Sequence, residues 1–389
     1  MKINMTLRFI RGVSLIELMI AITISAILLL GVGTIFSTSR RTYSVDEDFA
    51  RLQENARVAL KYLVEDFRMA GYVGCAKNFN LNFQNYLAST GDVNNDKFIK
   101  DVIMGIQGFE AQTSGPGTTV NLASPASGWL GGTVPPILTG VSAGSDIVIT
   151  RRANSKSARL AQGKDNAFFL IEDGGSGVVN TGAAVCHVPT DFCEGDVLIA
   201  TNCEKTRLFQ VSNGMAQIGA AIKLNHDGTG VVPGNATTIW GGAVNDVNYM
   251  SPNDTEIMKI NTYAYYVGTS VSGEPALFRQ SPIPGVAAEE LVEGVENLQV
   301  LYGIDTEKTG SNSGDGVANR YVTANNVNLA DDNVVSVRLS ILVRAKINIP
   351  GRPSTSSTYD VGGTNVTWTA DQRLRKVFST TVKVRNKGI

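Results

Sequence analysis

The residue with the most chemistry to explain is Glu17, in Val13-Ser14-Leu15-Ile16-Glu17-Leu18-Met19-Ile20-Ala21 at the head of an apolar run ending near Phe36. From Leu18 to Phe36 the run is uncharged and roughly nineteen residues long, enough to cross a bilayer core as a helix. A charge inside such a segment is costly and calls for a partner. Snorkelling to the headgroups from the helix end would satisfy it. So would a cation on another subunit, and a cut after Gly12 would supply one: the new α-amino group of Val13 lies four residues from Glu17. Spacing alone does not separate the two. Lys2, Arg8 and Arg11 precede the run, so segment 1–12 is expected to stay cytoplasmic and the rest to face the other side. An ordinary secretory signal has its small-residue cleavage site after the apolar run. Here Gly12 lies before it, and cleavage there would leave the hydrophobic helix on the mature chain.

Other candidate chemistry is thinner. Gly140-Val-Ser-Ala-Gly144 matches the GxSxG string, but that chemistry needs the serine on a sharp turn after a strand and before a helix. Here the string precedes a strand and reads as an ordinary turn. His187 and His226 are the only imidazoles, and both read as surface residues rather than bases. There is no GxxxxGK[ST] and no HExxH. No catalytic, cofactor-binding or metal-binding residue is assigned, and no enzyme activity is expected. Calcium is the one metal left open: Asp92-Val-Asn-Asn-Asp96 begins like an oxygen-ligand loop, without Gly at the sixth place or Glu at the twelfth. The stretch 305–315 is also acidic and Gly-containing. Solvated turns explain both at lower cost.

Four cysteines, Cys75, Cys186, Cys193 and Cys203, fit two disulfides in an exported body. Three pairings are open, and sequence alone does not choose among them. The preferred one takes Cys186–Cys193 as a short loop staple and Cys75–Cys203 as a tie from the helix end to a sheet. A zinc site is the poorer reading, because no CxxC occurs and His187 beside Cys186 lacks ligand spacing.

The elements that must position Glu17 follow. Val45, Phe49, Leu52, Ala56, Leu60, Leu63 and Phe67 recur at three- or four-residue steps, one apolar stripe continuing the helix. Arg51, Glu54, Arg57, Lys61, Glu65, Asp66 and Arg68 occupy its other faces, and Gly71 supplies a stop. A helix over 13–70 would be roughly 85 Å long. Gly31 and Gly33 lower local propensity and suggest a flexible point. After residue 75 short strands alternate with Gly, Asn, Asp and Ser clusters: 145–151, 167–171, 196–200, 206–211, 262–267, 276–280, 298–304, 334–345 and 376–385. Segments 108–132 and 311–319 read as long loops. The high glycine count (40) and modest aromatic content (7%) also favour a β-rich body. Net charge is −1, or −4 without the first twelve residues (31 basic against 35 acidic), so no nucleic-acid partner is expected. The basic end, Arg373, Arg375, Lys376, Lys383, Arg385 and Lys387, reads as a solvated strand face.

The stretch from Gly12 to Ala21 resembles the class III signal of type IV prepilins and pseudopilins. The resemblance implies that a prepilin peptidase cuts after Gly12 and methylates Val13, and that Glu17 sets register against a neighbour's N-terminal amine. Val13 stands where Phe is usual and Ser14 where Thr is common. Further pieces resemble, in order, the PilW-type minor pilins: 68–75, 144–149, 195–199 leading to Cys203, 265–267 with 276–279, 296–305, 334–339, 375–378 and 384–386. The resemblance implies an α+β, pilin-like fold: a cleaved leader (1–12), a membrane-spanning and filament-core helix (13–36), its amphipathic continuation (37–71) and a β-rich periplasmic or extracellular domain (72–389). It further implies a single-pass inner-membrane precursor that joins other minor pilins and the major pilin, with the inner-membrane assembly platform and a tip adhesin as partners. Such a subunit primes and caps a type IV pilus at its tip. A minor pseudopilin of a type II secretion system is the alternative, disfavoured by the large body.

Overall fold

The computed structural model describes residues 13–385 except 76–82, 163–167, 176, 183, 237–249, 253, 308–313, 328–332, 350–353, 355 and 369. Gly12 and the basic segment before it, with Asn386 and Lys387, lie outside the described residues.

A single α-helix of 55 residues, Leu15–Met69, carries the apolar run and its continuation without interruption. It passes through Gly31 and Gly33 unbroken, so the flexible point suggested by sequence is not a break in the helix. Its end is set by Ala70, which leaves helical geometry, and Gly71, whose φ of 77° is the left-handed conformation that glycine adopts readily.

The helix buries its second half on a four-stranded antiparallel sheet in the order 320–322, 295–305, 333–344, 375–383. Leu52, Ala56, Ala59, Leu63 and Phe67 meet Val337, Leu339, Ile341, Val343 and Val382 in one core. The two alanines are fully buried, which allows close approach of helix to sheet. The buried stripe is turned slightly from the one read in sequence. Phe49 is 37% exposed and lies under the Lys376 ammonium, whereas Ala59 and Asp66 face inward.

Among the described residues, twelve further strands form a second, larger sheet, and two three-stranded sheets stand apart from it. Its central pair, Ile147–Gln162 and Glu256–Thr269, is antiparallel with a register shift between Met258 and Ile260. One end of this pair, with Val148, Tyr265 and Val267, belongs to the core under the helix. The other, with Ala158, Leu160 and Ile257, enters a separate core with Phe169, Phe192, Phe209 and Leu224. The two strands thus carry one sheet from the helix-bearing end into a distal unit.

Segment 108–132 is not simply a long loop. Strands Ile106–Ala111, Thr119–Asn121 and Trp129–Leu130 pair there, the first with 147–162 and the second with Thr364–Thr367. The Asp92–Asp96 run forms the start of a helix. Asp92 caps the helix Val93–Lys100 by accepting the N–H groups of Asn94 (2.8 Å) and Asn95 (2.9 Å). Asp96 accepts from Thr90 N–H at 2.6 Å and pairs with Lys100 at 3.2 Å. Fully buried Arg151 closes the other end of this helix, donating to the carbonyls of Lys97, Phe98 and Met104.

Candidate functional site

The first half of the helix is an unpartnered apolar rod. Leu15 is 77% exposed and Leu29 71%, and no described residue of the body covers the stretch from Val13 to Phe36. Its threonine hydroxyls bond along the backbone: Thr23 donates to the carbonyl of Met19 (2.8 Å), Thr34 to Gly31 (2.8 Å) and, just beyond, Thr38 to Thr34 (2.9 Å). A rod whose threonine hydroxyls are internally paired suits an apolar surrounding, lipid or other helices.

Glu17 sits at the tip of this rod in a capping box. Ser14 Oγ accepts the Glu17 N–H at 3.2 Å, and Glu17 Oε2 accepts the Ser14 N–H at 3.0 Å. The reciprocal pair satisfies two backbone donors that a helix start leaves open. Ser14, the departure from the common residue, supplies one half of the box. Glu17 itself is exposed, so its charge faces outward from the helix tip beside Val13.

The far end of the helix is tied to the body by polar contacts that sequence reasoning missed. Asp66 is 5% exposed rather than on an outer face. It pairs with Arg152 at 2.7 Å and accepts from the Tyr265 hydroxyl, which joins the helix to both long strands. Asn55 donates to the Glu293 carbonyl at 3.1 Å. Cys75 is joined to Cys203, which fixes the segment after the helix to the turn between strands Val197–Asn202 and Lys205–Gln210. Cys186 is joined to Cys193 across two short strands.

Both histidines are buried, against the surface positions expected from sequence. His187 is held by Thr190 Oγ1 at 2.8 Å and the Asp173 carbonyl at 2.9 Å. His226 lies against the rings of Phe169 and Phe209, with centroids 5.0 and 6.0 Å away. Burial holds its imidazole down to a pKa of about 4, so the ring is neutral at neutral pH. Ser142 of the GxSxG string donates its N–H to the Val267 carbonyl at 2.8 Å, in a connection leading into a strand. Among the described residues, no three His, Cys, Asp or Glu side chains gather where they could hold a metal. The basic end is also not uniformly solvated. Arg375 has its side chain 1% exposed, pairs with Glu296 and Asp371 at 2.6 Å each, and stacks on Trp368.

An exposed apolar half-helix tipped by a carboxylate, continuous with a half buried on an antiparallel sheet, is the architecture of a pilin-like subunit. Residues 7–33 match the prokaryotic N-terminal methylation motif, and residues 264–386 match the type IV pilus-assembly protein W family. Together the two matches support a type IV pilin of the PilW family. The second match contains all four strands of the sheet under the helix. The earlier pieces at 68–75, 144–149 and 195–203 lie outside it. Neither the curated proteins nor the solved structures include a match to this chain.

Proposed function

We propose that the chain is a minor pilin that helps to prime and cap a type IV pilus as part of a tip complex with other minor pilins. In this reading a prepilin peptidase removes residues 1–12 and methylates Val13. The body lies on the periplasmic side of the inner membrane before assembly and at the pilus tip afterwards. The major pilin, the assembly platform and a tip adhesin are its further partners. The supporting observation is the division of one helix into an apolar half that no described residue covers and a half fixed to the body. Such a rod can leave lipid only by packing against other apolar surface, and neighbouring helices of the same kind provide it. Glu17 then meets a neighbour's methylated amine, a charge pair that compensates a carboxylate in an apolar surrounding.

An in-frame deletion, scored together for surface pili and for type II exoprotein release, tests this. Sparse or absent pili with normal secretion is the expected result. Normal pili with exoproteins trapped in the periplasm would contradict it and assign the chain to a pseudopilin role.

A further inference from the structure

We propose that a pocket beside the emerging helix receives a lysine side chain from an adjoining pilin-type subunit, with Asp48 as its receptor. The inference rests on the pilin reading above and adds a second electrostatic contact, remote from Glu17.

The pocket, about 390 Å³, lies between the helix segment 44–55 and the corner where Gly294 meets Arg344. Asp48 is the first buried residue of the helix, roughly three turns beyond Phe36, so the pocket opens where the apolar rod leaves the body. The other carboxylates lining it already hold cations. Glu47 pairs with Arg51 at 2.8 Å, Glu274 with Arg344 at 2.8 Å, and Glu293 with Lys346 at 3.2 Å. Asp48 is the exception. It is 8% exposed, lines the pocket, and its buried Oδ2 has no hydrogen-bond partner among the described residues. The lining therefore has one carboxylate more than its cations.

A buried carboxylate oxygen without a partner is costly in an isolated subunit. A cation brought by a neighbour would remove that cost. Arg344 does not supply it: its two terminal nitrogens are committed to Glu296 and Glu274, and only its buried Nε–H is left over. An ammonium is a compact point charge on a flexible stem, so it reaches a carboxylate inside a pocket more readily than a planar guanidinium fork. A pocket of this volume admits a side chain, and its mouth beside the rod is where another subunit must pack if the rods bundle.

The test compares full-length wild type with Asp48→Asn, which keeps the shape and removes the charge. Two quantities are measured: thermal unfolding of the detergent-solubilised chain and copies recovered in sheared filaments. Asp48→Asn is expected to unfold no earlier than wild type, yet to be recovered about ten-fold less, the loss of one modest contact. Charge reversal, Asp48→Lys, is expected to regain recovery when a lysine of a co-expressed pilin is changed to glutamate. Wild-type recovery of Asp48→Asn would overturn the proposal while leaving the pilin reading intact. Earlier unfolding of Asp48→Asn would make Asp48 a structural residue and also overturn it, as would failure of every lysine-to-glutamate change. Absence of the wild-type chain itself from filaments would remove the pilin reading and this inference together.

Discussion

His226 and the Glu110–Asp146 pair give the fold two opposed pH dependences. The folded imidazole has a pKa of about 4, below its value of 6.5 when unfolded, so the unfolded chain takes up the proton first. Stability is therefore lost as pH falls from about 6.5 to about 4, by on the order of 3 kcal/mol. Asp146 behaves the other way. Burial and the neighbouring Glu110 push its carboxyl well above the usual range. It accepts the N–H groups of Ala111 (2.9 Å) and Val300 (2.8 Å), so it bridges the two sheets. Its contribution is fully present at acid pH and is lost as pH rises through the raised value. Urea denaturation across pH 4–8 should show the acid-side loss disappear in His226→Phe and the decline above it become shallower in Glu110→Gln. These residues were misread in sequence, or passed over, for one reason. A charged or polar side chain is taken as exposed unless a partner is in view, and their partners are remote. Asp66 shows the same thing, because Arg152 lies 86 residues away.

At the scale of elements, the helix and most strands were legible because their apolar spacing is regular. The expected helix end, strands 206–211, 276–280 and 334–345, and the β-rich body all have close counterparts in the structure. The long strands were seen only in part. Expected strands 145–151 and 262–267 are parts of Ile147–Gln162 and Glu256–Thr269. The first continues into a mostly polar stretch with no such signal, and the second is preceded by apolar residues interrupted by Lys259 and Asn261. Strand continuation there is set by pairing, with Ser157 opposite Met258 and Ala158 opposite Ile257. The 108–132 strands were hidden because their partners lie far along the chain, at 147–150 and 364–367. The buried ties of the helix lead to a prediction at this scale. Leu63→Ala should cost about 2–5 kcal/mol by leaving a cavity in the core under the helix. Asp66→Ala should cost about 3 kcal/mol by leaving Arg152 and the Tyr265 hydroxyl without their acceptor. Glu54→Ala, in an exposed pair with Arg57, should leave stability essentially unchanged. Chemical denaturation of the three variants side by side checks the ranking.

Across the whole molecule, the residues matching the PilW family form the sheet under the helix, and the region before residue 264 builds most of the distal unit. No sequence signal separated the two, since the long strands run through both. The disulfides divide their work accordingly. Cys75–Cys203 spans 128 residues and ties the helix end to the large sheet, whereas Cys186–Cys193 spans seven within the distal unit. Loop-closure entropy then predicts a loss of about 5 kcal/mol for the Cys75→Ser, Cys203→Ser double variant and about 2.5 kcal/mol for Cys186→Ser with Cys193→Ser. Equal losses in urea denaturation would argue against the larger bridge as a global constraint. In the function proposed above, the exposed half-helix, with Glu17 at its tip, carries this subunit into a filament. The most direct test is to replace the chain by Glu17→Ala and to quantify it in membranes and in sheared filaments of the same cells. Membrane levels like wild type and loss from the filaments are expected. Recovery of Glu17→Ala in filaments at the wild-type level would contradict that function.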